Sequence, residues 1–334
     1  MLWTHSASIR GCVGRDSAPS PNPWDPLNVG AVVKGLVGAT ALGAVGLAYA
    51  ATEAHRYILR RVDVPLGDVR HGRSAGRPIR VLHLSDLHLT PRHKGRVAWV
   101  QSLAALDPDV VVVTGDFLAH QHAVPVVMEA LDPLLAVPGL FVLGSNDYYA
   151  PTPVQPWKYL RGPSQMDAGR PELPWGDLVT DLTAAGWHDL SNARSSIEVA
   201  GQHWDVRGVD DPHIERDRYD LVAGEFDSTA ELRVGVAHAP YLRVLDAMAA
   251  DHADLILAGH THGGQLCIPG VGALVTNCDL DTKRAKGLSR HPADDESGAY
   301  LHVSAGLGTS PYAPVRFACP PEATLLTLIG TPNS

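Results

Sequence analysis

Cysteine is scarce in this chain and poorly placed for bonding or metal work. Cys12, Cys267, Cys278 and Cys319 are the only four among 334 residues, widely spaced and without a CxxC pair. That spacing excludes a zinc-finger framework and gives no basis for a disulfide scaffold; inert, buried thiols are expected instead. Dense Lys/Arg runs are also missing, and the formal net charge is −9 with His neutral. Nucleic-acid backbones are gripped by clustered positive charge, so no nucleic-acid partner is expected. No internal repeat divides the chain. Its length and its 45% hydrophobic content suit one large or two modest domains.

Charge itself disappears between Lys34 and Glu53. This Ala/Gly-rich stretch is close to the roughly 20 apolar residues needed to cross a bilayer. The expected organisation is a disordered leader over 1–30, a transmembrane helix over 31–52, a linker over 53–77 and a catalytic domain over 78–330. The leader is rich in Ser, Pro and Asn and has little with which to build a core. Arg10 and Arg15 precede the span, whereas Arg56, Arg60, Arg61, Arg70, Arg73, Arg77 and Arg80 follow it. By the positive-inside rule this asymmetry favours a single-pass membrane protein with its large domain on the cytoplasmic face.

From Pro78 onward, short apolar runs alternate with helical stretches. "IRVLHLSD" and "PDVVVVTGD" read as strands buried on both faces. Between them "HKGRVAWVQSLAAL" carries Val97, Val100, Leu103 and Leu106 at helical spacing, which makes a β-α-β unit. Further strands are expected in "GLFVLG", "SIEVAG", "HWDVRGV", "ELRVGVAH", "DLILAGH", "AYLHVSAG" and "ATLLTLIG", with a helix in "YLRVLDAMAAD". Residues 150–176 are Pro-rich and read as a long irregular insertion.

Seventeen histidines are present, and most must be surface or hydrogen-bonded core positions. Placement promotes a few. Five apolar runs end in polar residues: Asp86 and His88, Asp116, Asn146 and Asp147, His238, and His260 and His262. In an open α/β sheet, ligands bind beyond the carboxyl ends of the strands. Any one of these endings is explained by a cap or a turn. Five in order are not, and Gly-His-Thr-His-Gly-Gly is uncommon even alone. Asp, His and Asn donors with few thiols suit Mn²⁺, Fe or Zn²⁺.

Asp86-Leu87-His88, Gly115-Asp116, Gly144-Ser145-Asn146-Asp147, His238 and Gly259-His260-Thr261-His262 together resemble the calcineurin-like metallophosphoesterase family over about residues 78–330, most of all its membrane-associated YkuE/YaeI-type branch. The resemblance implies an α/β fold, a four-layer αββα sandwich, behind the transmembrane helix. It also implies two divalent metal ions (Mn, Fe or Zn). Asp116 would bridge them, with Asp86, His88 and His262 at one and Asn146, His238 and His260 at the other. A metal-bridging hydroxide would then attack a phosphomonoester or phosphodiester.

One motif departs from the family. Gly-Ser-Asn-Asp stands where Gly-Asn-His-Asp is usual. Without a gap, Ser145 falls at the ligand Asn and Asn146 at the catalytic His. With a one-residue shift Asn146 keeps the ligand role and Asp147 follows it; this is preferred because serine is a poor metal ligand. Either way the leaving-group histidine is missing, and Asp147 or a metal-bound water is the expected substitute. "GVDDPH" offers Asp211 and His213 as substrate contacts, against a reading as a capped turn. Trp157, Lys158, Tyr159 and Arg161 in the insertion are candidates for gripping a phosphate and its substituent. The leading expectation is a phosphoesterase acting on a lipid-linked or envelope substrate. The alternatives are a cyclic-nucleotide phosphodiesterase for soluble substrates and a catalytically degenerate metal-binding scaffold.

Overall fold

The computed structural model describes residues 26–66, 77–153 and 169–330. Two compact units divide between Leu47 and Ala48. Most of the first helix, α1 (Pro26–Glu53), belongs to the earlier unit. Its side chains from Val32 to Leu47 are exposed, and it is long and apolar enough to cross a membrane. It begins at Pro26, inside the stretch expected to be leader; proline is well suited to a first helical turn, where its missing N–H is not needed.

The second unit is built from β1 (Ile58–Pro65), β2 (Ile79–Leu84), α2 (Lys94–Ser102), β3 (Val110–Thr114), α3 (Val124–Leu131), β4 (Gly139–Val142), α4 (Ser145–Tyr148), α5 (Trp175–Ala184), β5 (His188–Asp189), β6 (Ala193–Val199), β7 (Gln202–Gly208), β8 (Leu232–Val236), α6 (Leu242–Ala250), β9 (Leu255–Ala258), β10 (Cys267–Ile268), β11 (Gly272–Ala273), β12 (Gly287–His291), β13 (Ala299–Val303) and β14 (Glu322–Ile329). Two six-stranded sheets result, ordered β1-β14-β2-β3-β4-β5 and β12-β13-β9-β8-β7-β6.

The period of two along each strand decides the layering. In β3, Val111 and Val113 face outward onto α2, α3 and α5, whereas Val110 and Val112 face the second sheet. Val234, Val236, Leu255 and Leu257 meet them from β8 and β9. On the far side α6 covers the second sheet with Val244, Leu245 and Met248. The order is helix, sheet, sheet, helix: the expected four-layer αββα sandwich. Runs such as Val110–Thr114 are buried throughout because both of their faces are covered.

The stretch expected to be a linker over 53–77 contains a strand instead. β1 pairs in parallel with β14, with Val64 buried while Arg60, Arg61 and Asp63 point outward. Its exposed charges, normal for an edge strand, are what made it read as linker. Lys158 and Arg161, with Trp157 and Tyr159, lie outside the described residues.

Candidate metal centre

Strands β2, β3 and β4 run parallel in one sheet, and β7, β8, β9 and β13 run parallel in the other. The loops leaving their carboxyl ends meet. Asp86 N donates to Gly115 O, His88 N to Asp116 O, Leu307 N to Ser85 O and Gly259 N to His238 O. This backbone lattice gathers Asp86, His88, Asp116, His238, His260 and His262 from four strand ends.

Asp86, His88, Asp116 and His262 each offer a ligand atom, all within 4.8 Å of one another. The His88 and His262 Nε2 atoms stand 3.3 Å apart. His88 Nε2 is 3.4 Å from Asp116 Oδ2, and His262 Nε2 is 3.5 Å from Asp86 Oδ1. Asp86 Oδ1 is buried without a hydrogen-bond partner. Burial holds both imidazoles well below their ordinary pKa, His88 at about 4, so both are neutral. Two neutral rings facing each other beside an unpartnered buried carboxylate oxygen are a donor set that could hold a cation.

A second set meets the same Asp116 oxygen. His238 Nδ1 donates to Thr114 O at 2.6 Å, which turns Nε2 toward Asp116 Oδ2 at 3.6 Å. His260 Nδ1 lies 3.3 Å from His238 Nε2, while its Nε2 faces Asn277 O at 3.2 Å. The Asn146 amide lies 2.8 Å from Asp116 Oδ2, and its backbone N–H donates to Asp116 Oδ1. Asp116 Oδ2 therefore faces ring nitrogens of both sets. Burial alone would depress His238, but the Asp116, Asp211 and Asp86 charges push it up to about 9.

Asp147 is a correction. It is fully buried, and its carboxylate accepts backbone N–H groups from Asp116, Leu118 and Gly144 at 2.8–2.9 Å. Burial and the Asp116 charge raise its pKa to about 8, a value suited to a general acid. Geometry decides against that role: both oxygens are turned into the backbone, where they pin the β3 and β4 loops together. Asp211 and His213 do reach the site. Asp211 is buried, with one oxygen accepting His213 N and Oδ2 unpartnered. The His213 ring lies 4.5 Å from that of His260.

Two buried arginines escaped notice in the sequence. Arg96 Nη1 donates to Leu87 O and His88 O. Arg316 donates to the carbonyls of His262, Ala305, Gly306, Gly308 and Cys319. Each wraps a loop that carries ligands. Only their helical or loop neighbours, not their own pattern, could have flagged them.

The backbone at the centre is unusual. Asp86, His88, Asp116, His260 and His262 all have left-handed φ, between 40° and 67°. Glycine adopts this region freely, whereas other L-residues do so at a cost. H88G is therefore expected to melt higher than H88A in chelator, by on the order of 1 kcal/mol, reversing the usual Gly/Ala order. Both variants lack the imidazole, so thermal denaturation isolates the backbone. Alanine melting higher would show that position 88 is not left-handed.

Comparison with known proteins gives a consistent picture. The calcineurin-like phosphoesterase family profile matches residues 79–264. An uncharacterized metallophosphoesterase of Aquifex aeolicus is 27% identical, over 77% of this chain and 88% of its own. YkuE of Bacillus subtilis, also an uncharacterized metallophosphoesterase, is 23% identical over 90% of this chain and 96% of its own. Phosphodiesterase YaeI of Escherichia coli is 26% identical over 75% of this chain and 83% of its own.

Proposed function

The chain belongs to the calcineurin-like phosphoesterase family, and from that premise we propose that it hydrolyses a phosphomonoester or phosphodiester at a pair of divalent metal ions. One observation carries the reading: Asp116 Oδ2 lies 3.4 Å from His88 Nε2 and 3.6 Å from His238 Nε2, between the two sets of donors. Asp86, His88 and His262 would hold one ion, and His238, His260 and Asn146 the other, with the Asn146 amide turned to present its oxygen. Asp116 would serve both. Two ions bound there supply an activated water and neutralise the charge that develops on the phosphoryl oxygens. The protein's own residues do the rest. Thr114 O holds the His238 ring in the tautomer a ligand needs, and Ser85 and the His260 amide hold Asp86. Asp211 and His213 border the second set and would meet the substrate. α1 would hold the domain at a bilayer, on the cytoplasmic face by its flanking arginines.

The test uses the full chain in detergent, stripped of metal and then given Mn²⁺, with p-nitrophenyl phosphate and bis-p-nitrophenyl phosphate, beside H262A. Metal-dependent hydrolysis that disappears in H262A supports the enzyme, and the preferred ester narrows the substrate class. Metal uptake without turnover of either ester would sink the enzymatic reading and leave a metal-binding scaffold.

A pH dependence follows from His238. Its proton, held up to a pKa of about 9 in the metal-free protein, must leave before Nε2 can ligate. Metal affinity should rise with pH through neutrality by up to about tenfold per unit, then level off near the His238 pKa. Calorimetry in buffers of different ionisation enthalpy should read the release of about one proton per protein. Binding with no proton release would place His238 outside the ligand set.

A further inference from the structure

Outside α1, seven large apolar side chains are exposed among the described residues: Trp175, Leu221, Leu266, Ile268, Val271, Leu274 and Tyr312. Five of them fall in two adjoining segments. Leu266, Ile268, Val271 and Leu274 lie on or beside the β10–β11 hairpin, with Val271 at its tip 75% exposed. Tyr312 lies in the loop that precedes Arg316. Gln265 ties the segments together, its side chain donating to Ala313 O and Val315 O, and Leu266 bridges Phe317. Residues 263–278 and 305–315 contain no Asp, Glu, Lys or Arg. An apolar rim of this kind, free of charge, is unlike ordinary scattered surface apolars. Exposed Lys283 sits on the short helix against β11, a cation at the rim's edge.

The rim is joined at both ends to something informative. Upstream, the hairpin follows His262–Gly264 directly, so it is an extension of the metal-binding loop. Downstream, residues 316–318 receive the last turn of α1. The Tyr49 ring packs edge-on against Phe317 at 5.1 Å, Arg316 N donates to Ala50 O, and Ala318 N donates to the Glu53 carboxylate. A single residue along the chain separates Tyr49 from exposed Leu47, within the apolar span of α1. The segment that carries the rim is thus fastened to the end of a helix fit for a bilayer.

We infer that the β10–β11 hairpin and the Ser310–Val315 loop form a lipid-contacting rim that seats the metal site against the membrane surface. The inference rests on the phosphoesterase reading for its use, because a site seated there takes phosphate esters carried by lipids at headgroup level. An apolar edge held at that boundary enters to a depth of roughly 5–10 Å, which its Tyr and Val side chains suit.

The experiment reads depth without turnover. The full chain is reconstituted into vesicles of equal parts phosphatidylcholine and phosphatidylglycerol, with or without acyl chains brominated near the headgroup. V271W is compared with A105W, whose position is exposed on the short helical turn Leu103–Leu106 between α2 and the amino end of β3, away from the ligand loops. After subtraction of wild-type fluorescence, the indole added by V271W should lose about half its emission to bromine, and that added by A105W little, if the rim enters the headgroup layer. Equal quenching in the two variants, or none in V271W, overturns the inference. Hydrolysis of bis-p-nitrophenyl phosphate by the same V271W sample is scored separately, so a failed enzyme reading and a failed membrane contact give different results.

Discussion

D116N should abolish ester hydrolysis, with a loss on the order of a thousandfold or more, and should also lower the number of metal ions bound. Among the described residues, Asp116 is the carboxylate whose oxygen faces ring nitrogens of both sets. Asparagine keeps the size but loses the charge and one acceptor oxygen. The backbone should tolerate it, because residue 116 keeps its own N–H to Asp147 and its carbonyl from His88 N, and the asparagine oxygen can still accept from Asn146 N. A second readout separates the charge from the fold. With the carboxylate gone, His238 loses its nearest anion and its pKa should fall, so less proton is released on metal binding. Retained turnover, or a full complement of metal in D116N, would show that the two sets do not share a ligand.

G259A should lose metal binding as well, by a different route. A methyl group at Gly259 would overlap Ser85 Oγ and come within 2.9 Å of Asp86 Oδ2 and Thr114 Oγ1. All three are fully buried, and Ser85 Oγ donates to Asp86. There is no room for the serine to yield without releasing Asp86. Overpacking of this kind costs about 1–3 kcal/mol in stability. Its larger effect falls on affinity, because Asp86 is displaced from the point where the nitrogens converge. Melting temperature and metal titration should fall together. A variant with normal affinity would mean that Asp86 is placed by something other than this packing.

Much of the architecture was written in the strand pattern. β2, β3, β4, β7, β8, β9, β13 and β14 all correspond to apolar runs, because strands covered on both faces leave an unbroken signal. β1, β12 and the β10–β11 hairpin did not announce themselves. They are edge or two-residue strands whose pairing, not composition, defines them. Six of the candidate ligand side chains came together as their strand endings suggested. Asp147 did not behave as expected, since a residue's neighbours in sequence say nothing about which way its carboxylate turns. Arg96 and Arg316 were invisible for a related reason: a buried arginine wrapped around carbonyls looks, in sequence, like any surface arginine. His83 and His302, buried and hydrogen-bonded to each other at 2.8 Å, are the core histidines that abundance alone foretold without locating.

The left-handed backbone at Asp86, His88, Asp116, His260 and His262 sets stability against chemistry. At about 1 kcal/mol for each residue, the five positions together hold on the order of 5 kcal/mol of strain. That is comparable with the lower end of the net stability of a whole domain. A thermostabilising screen indifferent to activity would reach these positions early and replace them with glycine, and the resulting protein would be sturdier and inert. The same arithmetic applies over generations. A chain released from its metal would drift toward relaxed residues at these sites, and this one still carries two aspartates and three histidines where glycine would fold more easily.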